Sequence, residues 1–173
     1  MPLIKFPDPS VFTGMDGIVY VGGSLETENL YAAYSRGIFP WPIEELPMLW
    51  HCPDRRGVLE FRDLHVPKSL KRHFNSSRYR YTYNQNFSAV MQECAMAPRR
   101  GQDATWILPS MISAYEKFHE QGYAHSVECW NEDDDLVGGL YGVYVKGVFS
   151  GESMFFKESN TGKLCLLQLL ERL

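Results

Sequence analysis

Apolar and polar positions are patterned most clearly between Leu136 and Phe156, LVGGLYGVYVKGVFSGESMFF. Tyr141, Val143 and Val145 alternate with Gly142, Tyr144 and Lys146, the period of two of a strand. Lys146-Gly147 is a turn signal, because glycine takes positive φ without steric cost. A return strand follows from Val148 to Phe155. On it Val148, Ser150, Glu152 and Met154 share one face, and Phe149, Gly151, Ser153 and Phe155 the other. The pattern predicts an antiparallel hairpin with a glutamate buried among apolar neighbours. Burying a carboxylate is costly unless a cation or strong donors meet it. Gly138, Gly139 and Gly151 have no turn role, so they predict bulges or the close approach of a ligand.

Elsewhere the spacing is helical. Leu30, Ala33 and Tyr34 mark a helix capped by Ser24 or Thr27 and stopped by Gly37. Pro67 opens a helix that packs Leu70 and Phe74. Phe87, Val90, Met91 and Cys94 follow at i, i+3, i+4 and i+7, behind a cap at Asn84 or Asn86. Met111, Ile112, Tyr115 and Phe118 predict a helix from Pro109 to Gly122. Leu166, Leu169, Leu170 and Leu173 form the stripe of a last helix capped by Ser159 or Asn160. Tyr79 to Tyr83 and His125 to Trp130 read as strands. Residues 1–24 are rich in Pro and Gly around one apolar run, Ile18 to Val21, and predict an extended arm. Pro40, Pro42 and Pro47 predict an irregular loop bracketed by Trp41 and Trp50, serving either as core plugs or as stacking platforms. The whole predicts an α+β chain: a small loop-rich domain over residues 1–60, then an antiparallel meander flanked by helices over 61–173.

Composition narrows the function classes. With 173 residues, 45% hydrophobic and 22% charged, the chain can build a sizeable core. A formal net charge of −4 excludes indiscriminate polyanion binding. Locally the balance reverses. Arg62, Lys68, Lys71, Arg72, Arg78 and Arg80 stand against Asp63 alone, and Lys68, Lys71 and Arg72 share a helix face. That stretch is either a solvated face or a site for a phosphate backbone. The N-terminus shows no signal-peptide pattern, and no apolar run approaches the roughly 18 residues that span a bilayer. The four cysteines form no CxxC pair. They predict reduced thiols in the cytoplasm rather than a disulfide framework or zinc site. His51, His65, His73, His119 and His125 are not at metal-ligand spacing. Phosphate-loop, dinucleotide-binding, HExxH and GxSxG patterns are absent. The residues alone point to an enzyme or binder acting on a nucleotide-bearing substrate.

LYAAYSRGIFPW (Leu30 to Trp41), WHCPD (Trp50 to Asp54), Thr105-Trp106-Ile107, HEQGYAHSVECW (His119 to Trp130), LVGGLYGV (Leu136 to Val143) and GESMF (Gly151 to Phe155) add a resemblance. In order and spacing they resemble the bacterial leucyl/phenylalanyl-tRNA–protein transferase family from about residue 19 onward. The resemblance implies an acyl-CoA N-acyltransferase-like main domain. It implies a monomeric cytoplasmic enzyme without metal or cofactor. Such an enzyme moves Leu, Phe or Met from aminoacyl-tRNA to proteins beginning with Arg or Lys, marking them for degradation. It implies that Trp41 and Trp106 hold the 3′ adenosine, with Tyr115 nearby. It implies that Glu152 contacts the α-amino group of the aminoacyl ester, and that Leu140, Phe149, Met154 and Leu166 line the side-chain pocket. Lys68, Lys71, Arg72, Arg78 and Arg80 match the region implied to hold the acceptor stem. The family pattern continues past the last helix into a strand bearing Asp-x-Gln, assigned to catalysis. This sequence ends at Leu173, so the resemblance also implies a C-terminally shortened form. A non-catalytic tRNA-binding module and an acyl-CoA N-acyltransferase are the alternatives; for the latter, SNTGKLCLL is a poor pyrophosphate loop.

Overall fold

A computed structural model describes residues 3–11, 15–43, 45–76, 78–98 and 105–173. The chain is α+β. It divides into two units, one of Met1–Arg56, Arg100–Ala124 and Val143–Phe149, the other of Gly57–Arg99, His125–Gly142 and Ser150–Leu173.

The first unit is built on a three-stranded antiparallel sheet of β1 (Ile18–Val21), β2 (Phe39–Trp41) and β3 (Leu49–His51), in the order β1-β3-β2. The run Ile18 to Val21 is therefore a strand, where an extended arm was expected. The proline-rich loop is also less irregular than expected. Pro40 sits inside β2, opposite Trp50. An outer strand tolerates it because the missing N–H falls on the unpaired side. Trp50 is fully buried, and its indole N–H donates to the Gly22 carbonyl at 2.9 Å. It meets the Phe6 ring edge-on with centroids 4.9 Å apart. Of the two bracketing tryptophans, Trp50 is thus core.

Helix α1 (Thr27–Tyr34) starts at Glu26 without a side-chain cap. Ser24 serves elsewhere: its carbonyl and hydroxyl accept from the side-chain amide of buried Asn29, at 3.1 and 3.2 Å. The Asn29 Oδ1 accepts the Ile4 N–H at 2.8 Å, tying the N-terminal segment to the helix. Gly37, at φ 73°, ends α1 in the left-handed region. Helix α4 (Pro109–Glu120) carries Pro109 in its first turn and buries Met111, Ala114, Tyr115 and Phe118. Gly122 follows it at φ 80°.

The second sheet has the order β4-β5-β6-β7, formed by Arg80–Tyr83, Ala124–Trp130, Leu136–Val145 and Val148–Phe156. Lys146 and Gly147 both have positive φ, 52° and 80°, the two-residue type I′ turn whose twist matches the strands it joins. Helices α2 (Lys68–Phe74) and α5 (Thr161–Arg172) touch, and α3 (Phe87–Met96) buries Phe87, Val90, Met91 and Cys94. The Asn86 side chain accepts the Ala89 N–H at 3.4 Å and caps α3. The last helix is seated on Leu164, Cys165 and Leu169, with Leu173 exposed. The leucine stripe is thus rotated from the expected one, because Cys165 takes a core position.

Two further expectations change. A Cβ on Gly138 would lie 2.5 Å from the Thr161 side chain, and one on Gly139 2.7 Å from Phe155. Both glycines make room for protein atoms rather than for a ligand. Among the described residues the fully buried glutamate is Glu128 on β5, not Glu152. Thr82 Oγ1 and Ser126 Oγ each donate to its carboxylate at 2.5 Å, and the Asn86 N–H at 3.4 Å. Hydroxyl and amide donors replace the cation that a buried carboxylate otherwise needs. The Trp130 indole N–H donates on to Thr82 Oγ1 at 2.8 Å, extending this network.

The four cysteines are free thiols. Among the described residues no helix is long and apolar enough to cross a membrane, and no group of three or more His, Cys, Asp or Glu is placed to hold a metal ion.

Candidate functional site

The expected site residues fall into three groups, each inside one unit. The first is aromatic. Trp41, at the end of β2, stacks on Trp106 with centroids 4.9 Å apart and planes 15° from parallel. Trp41 remains 37% exposed. Trp106 is fixed by its neighbours: Thr105 Oγ1 accepts the Ile107 N–H at 3.1 Å, and Ile107 is buried. A base placed between the two rings would need about 7 Å, twice a van der Waals contact. The pair therefore offers an outer face for stacking, not a slot.

The aromatic surface continues along β2. The Phe39 ring stands edge-on to Trp41 at 6.5 Å and lies nearly parallel to His51 at 6.0 Å. Burial depresses the His51 pKa, so the imidazole is neutral at pH 7. The Arg56 guanidinium sits over Phe39, 4.8 Å from its centroid.

Tyr115 is fully buried on α4. Its hydroxyl meets that of Tyr34 on α1 at 2.5 Å, and the Tyr34 ring stacks on Phe118 at 6.1 Å. Tyr115 braces α1 against α4 and shows no surface. Phe149, half-buried at the hairpin tip, belongs to this unit.

The second group lies on the hairpin and α5. Glu152 is half-buried on β7. The strand's alternation puts it on the same face as Met154 and Phe156, which are 45% and 69% exposed. That face is partly open to solvent at Met154 and Phe156. Leu140 is buried in β6, and Leu166 is half-buried on α5. The first turn of α5 approaches β7 closely: a Cβ on Gly162 would lie 3.5 Å from Met154 Sδ and 2.9 Å from the Phe155 carbonyl oxygen.

The third group is basic. Lys68, Lys71, Arg72, Arg78 and Arg80 are all exposed. Two of them are ion-paired: Arg78 with Glu158 at 2.8 Å, and Arg80 with Asp134 at 2.7 Å. Glu158 also accepts the Tyr79 hydroxyl at 2.7 Å, which holds its carboxyl below the usual range. The Tyr79 phenol is pushed up to about 12, by burial first and this bond second. Lys68, Lys71 and Arg72 make no ion pair among the described residues, so the uncompensated charge is concentrated on α2.

Residues 58–173 match the family model for leucyl/phenylalanyl-tRNA protein transferase. The chain belongs to this family. Residues 23–54 match the model for the transferase's N-terminal domain. A leucyl/phenylalanyl-tRNA–protein transferase of Colwellia psychrerythraea is 49% identical over 172 residues, covering 97% of this chain and 69% of that relative. Relatives of the same name from Anaeromyxobacter sp. and Maridesulfovibrio salexigens are 47% and 45% identical. They are covered over 71% and 70% of their lengths. In this transferase chain Phe39, Trp41 and His51 fall in the N-terminal family segment, and Trp106 in the other.

Sequence reasoning missed Phe39, His51, Arg56 and the partner of Tyr115. The helical spacing of Tyr34 marked it as core, and nothing local announced its hydroxyl contact. Arg56 stood just outside the basic stretch, in DRRG, where two arginines follow the WHCPD motif. Glu128 had one signal: Ser126, two residues away, shares its face of the strand.

Proposed function

We propose that the chain is an aminoacyltransferase that moves Leu, Phe or Met from aminoacyl-tRNA to the N-terminal amine of proteins beginning with Arg or Lys. Such transfer marks the acceptor for degradation. The observation that carries the reading is the exposed Trp41–Trp106 stack on a chain of this family. Stacking a terminal adenine on its outer face supplies about 1–3 kcal/mol of binding. The antiparallel sheet flanked by helices supports an acyl-CoA N-acyltransferase-like fold for the main domain. A cytoplasmic location is what membership of this family supports.

The reaction is aminolysis of an activated ester. The neutral α-amine of the acceptor attacks the ester carbonyl, and a C–N bond forms. The bond to the 3′ ribose oxygen breaks, and the proton lost by the amine ends on that oxygen. Glu152 receives the α-ammonium of the bound aminoacyl group as an ion pair on the partly open face of β7. Met154, Leu140 and Leu166, all of the same unit, supply the apolar surroundings that select its side chain. Tyr115 acts from within, by holding α4 and the TWI turn that precedes it. Lys68, Lys71 and Arg72 take backbone phosphates, with Arg78 and Arg80 contributing as their acids allow. Recognition of this kind is weakly dependent on sequence. The substrate is already activated, so positioning and charge stabilisation supply most of the rate.

The test is incubation of the purified chain with radiolabelled leucyl-tRNA and a peptide beginning with Arg. Label in the peptide supports the transferase. Bound tRNA that keeps its label selects a non-catalytic binding module. Acetyl transfer from acetyl-CoA selects the acyl-CoA alternative.

A further inference from the structure

Arg56 has no part in the basic group on α2, yet it stands against the aromatic row in space. Its guanidinium lies over Phe39 at 4.8 Å, and the Phe39 ring is 6.5 Å from that of Trp41. Trp41 and Phe39 are two residues apart on β2, so strand geometry puts them side by side on one face. The charge therefore sits one aromatic ring away from the proposed base-stacking surface. Arg56 is also held in place. One N–H donates to the Gly37 carbonyl at 2.8 Å, just past the end of α1, and the planar group rests on Phe39. A guanidinium has five N–H donors in a fixed fork. One is used, and the residue is exposed. Neither contact neutralises its charge, and among the described residues no carboxylate pairs with it, neighbouring Asp54 included. Arg78 and Arg80 differ on this point, since each already has an acid. A preorganised, unpaired fork beside a stacking platform matches the geometry of a phosphodiester.

We propose that Arg56 binds the phosphate on the 5′ side of the terminal nucleoside, so that base and phosphate of one nucleotide are read together by Trp41 and Arg56. This rests on the aminoacyl-tRNA reading above. It makes the single-stranded end a recognition element in its own right, separate from whatever α2 holds.

The experiment uses two amide-linked, unreactive donors: 3′-leucylamido-adenosine, which lacks the phosphate, and the same group on the trinucleotide CCA, which has it. Binding is read by quenching of tryptophan fluorescence, for the parent chain, Arg56→Ala and Arg56→Lys. In Arg56→Ala the Kd of the trinucleotide rises at least tenfold, and that of the nucleoside stays within twofold. The slope of log Kd against log salt for the trinucleotide falls by about 0.7, one phosphate's share on a single strand. Arg56→Lys recovers part of the trinucleotide affinity, because it keeps the charge without the fork. An equal loss for both probes overturns the proposal and leaves Arg56 as a brace for Phe39 and the end of α1. Thermal unfolding of each variant shows whether that brace matters for the fold. A parent chain that binds the trinucleotide with these dependences but transfers no leucine retains the phosphate site and loses the transferase reading. A parent that binds neither probe contradicts both.

Discussion

Gly138→Ala isolates the packing that seats α5 against the hairpin carrying Glu152. The added methyl would lie 2.5 Å from Thr161 Cβ and Oγ1 and 2.9 Å from the Thr161 backbone carbon. Carbon atoms normally settle 3.5–4.0 Å apart, so about 1 Å of movement is required. Thr161 cannot supply it cheaply. It is buried, and its hydroxyl donates to the Val137 and Glu158 carbonyls at 2.7 and 2.8 Å. Overpacking of this kind costs about 1–3 kcal/mol. Gly151→Ala is the internal control on the same hairpin. A Cβ there meets nothing within 4 Å, and its φ is not positive. Replacing that glycine stabilises by about 0.4–1 kcal/mol, because the unfolded chain loses freedom. Urea unfolding followed by circular dichroism reads both variants. The midpoint falls for Gly138→Ala and holds or rises for Gly151→Ala, at unchanged m. A loss of about 2 kcal/mol lowers the melting temperature by several degrees in a chain of this length. Equal midpoint shifts in the two variants would refute the claim that Gly138 is there for helix packing.

Three further outcomes concern the substrate. Trp41→Ala raises the KM for leucyl-tRNA about 5- to 150-fold, the cost of one stacked base, with kcat little changed; an unaltered KM removes the base from Trp41. Glu152→Gln raises the same KM about tenfold or more with kcat little changed. Unchanged kinetics sink the ammonium contact. Lys71→Ala with Arg72→Ala weakens tRNA binding and flattens its salt dependence, because both are exposed and unpaired among the described residues. Equal salt slopes in mutant and parent count against the α2 site.

The hairpin was legible because its turn demands two positive-φ residues and the sequence offers Lys146-Gly147. Helices α3 and α4 were legible because their apolar spacing coincides with clear punctuation, Asn86, Pro109 and Gly122. What stayed hidden depends on contacts distant in sequence. Pro40 argued against a strand, and only the outer position of β2 removes the objection. Glu152 and Glu128 both stand in apolar strands. Local pattern does not reveal that β7 is an outer strand exposed along much of its length whereas β5 is an inner strand buried nearly throughout. Gly138 and Gly139 announced a close approach, but not that protein atoms make it. The Trp41–Trp106 stack joins residues 65 positions apart. Its two motifs were visible as chemistry; their face-to-face contact required the fold. Arg56 was overlooked because charge was summed along the chain, whereas its significance is the ring beneath it.

As an aminoacyltransferase the chain forms a new peptide bond at a free protein N-terminus, using aminoacyl-tRNA as donor. The most direct measurement supplies radiolabelled leucyl-tRNA to the purified chain with two peptides, one beginning with a free Arg and one with the same Arg acetylated on its α-amine. Label is expected in the free peptide and none in the blocked one. Label in both peptides, or in neither while leucyl-tRNA stays intact, would contradict it.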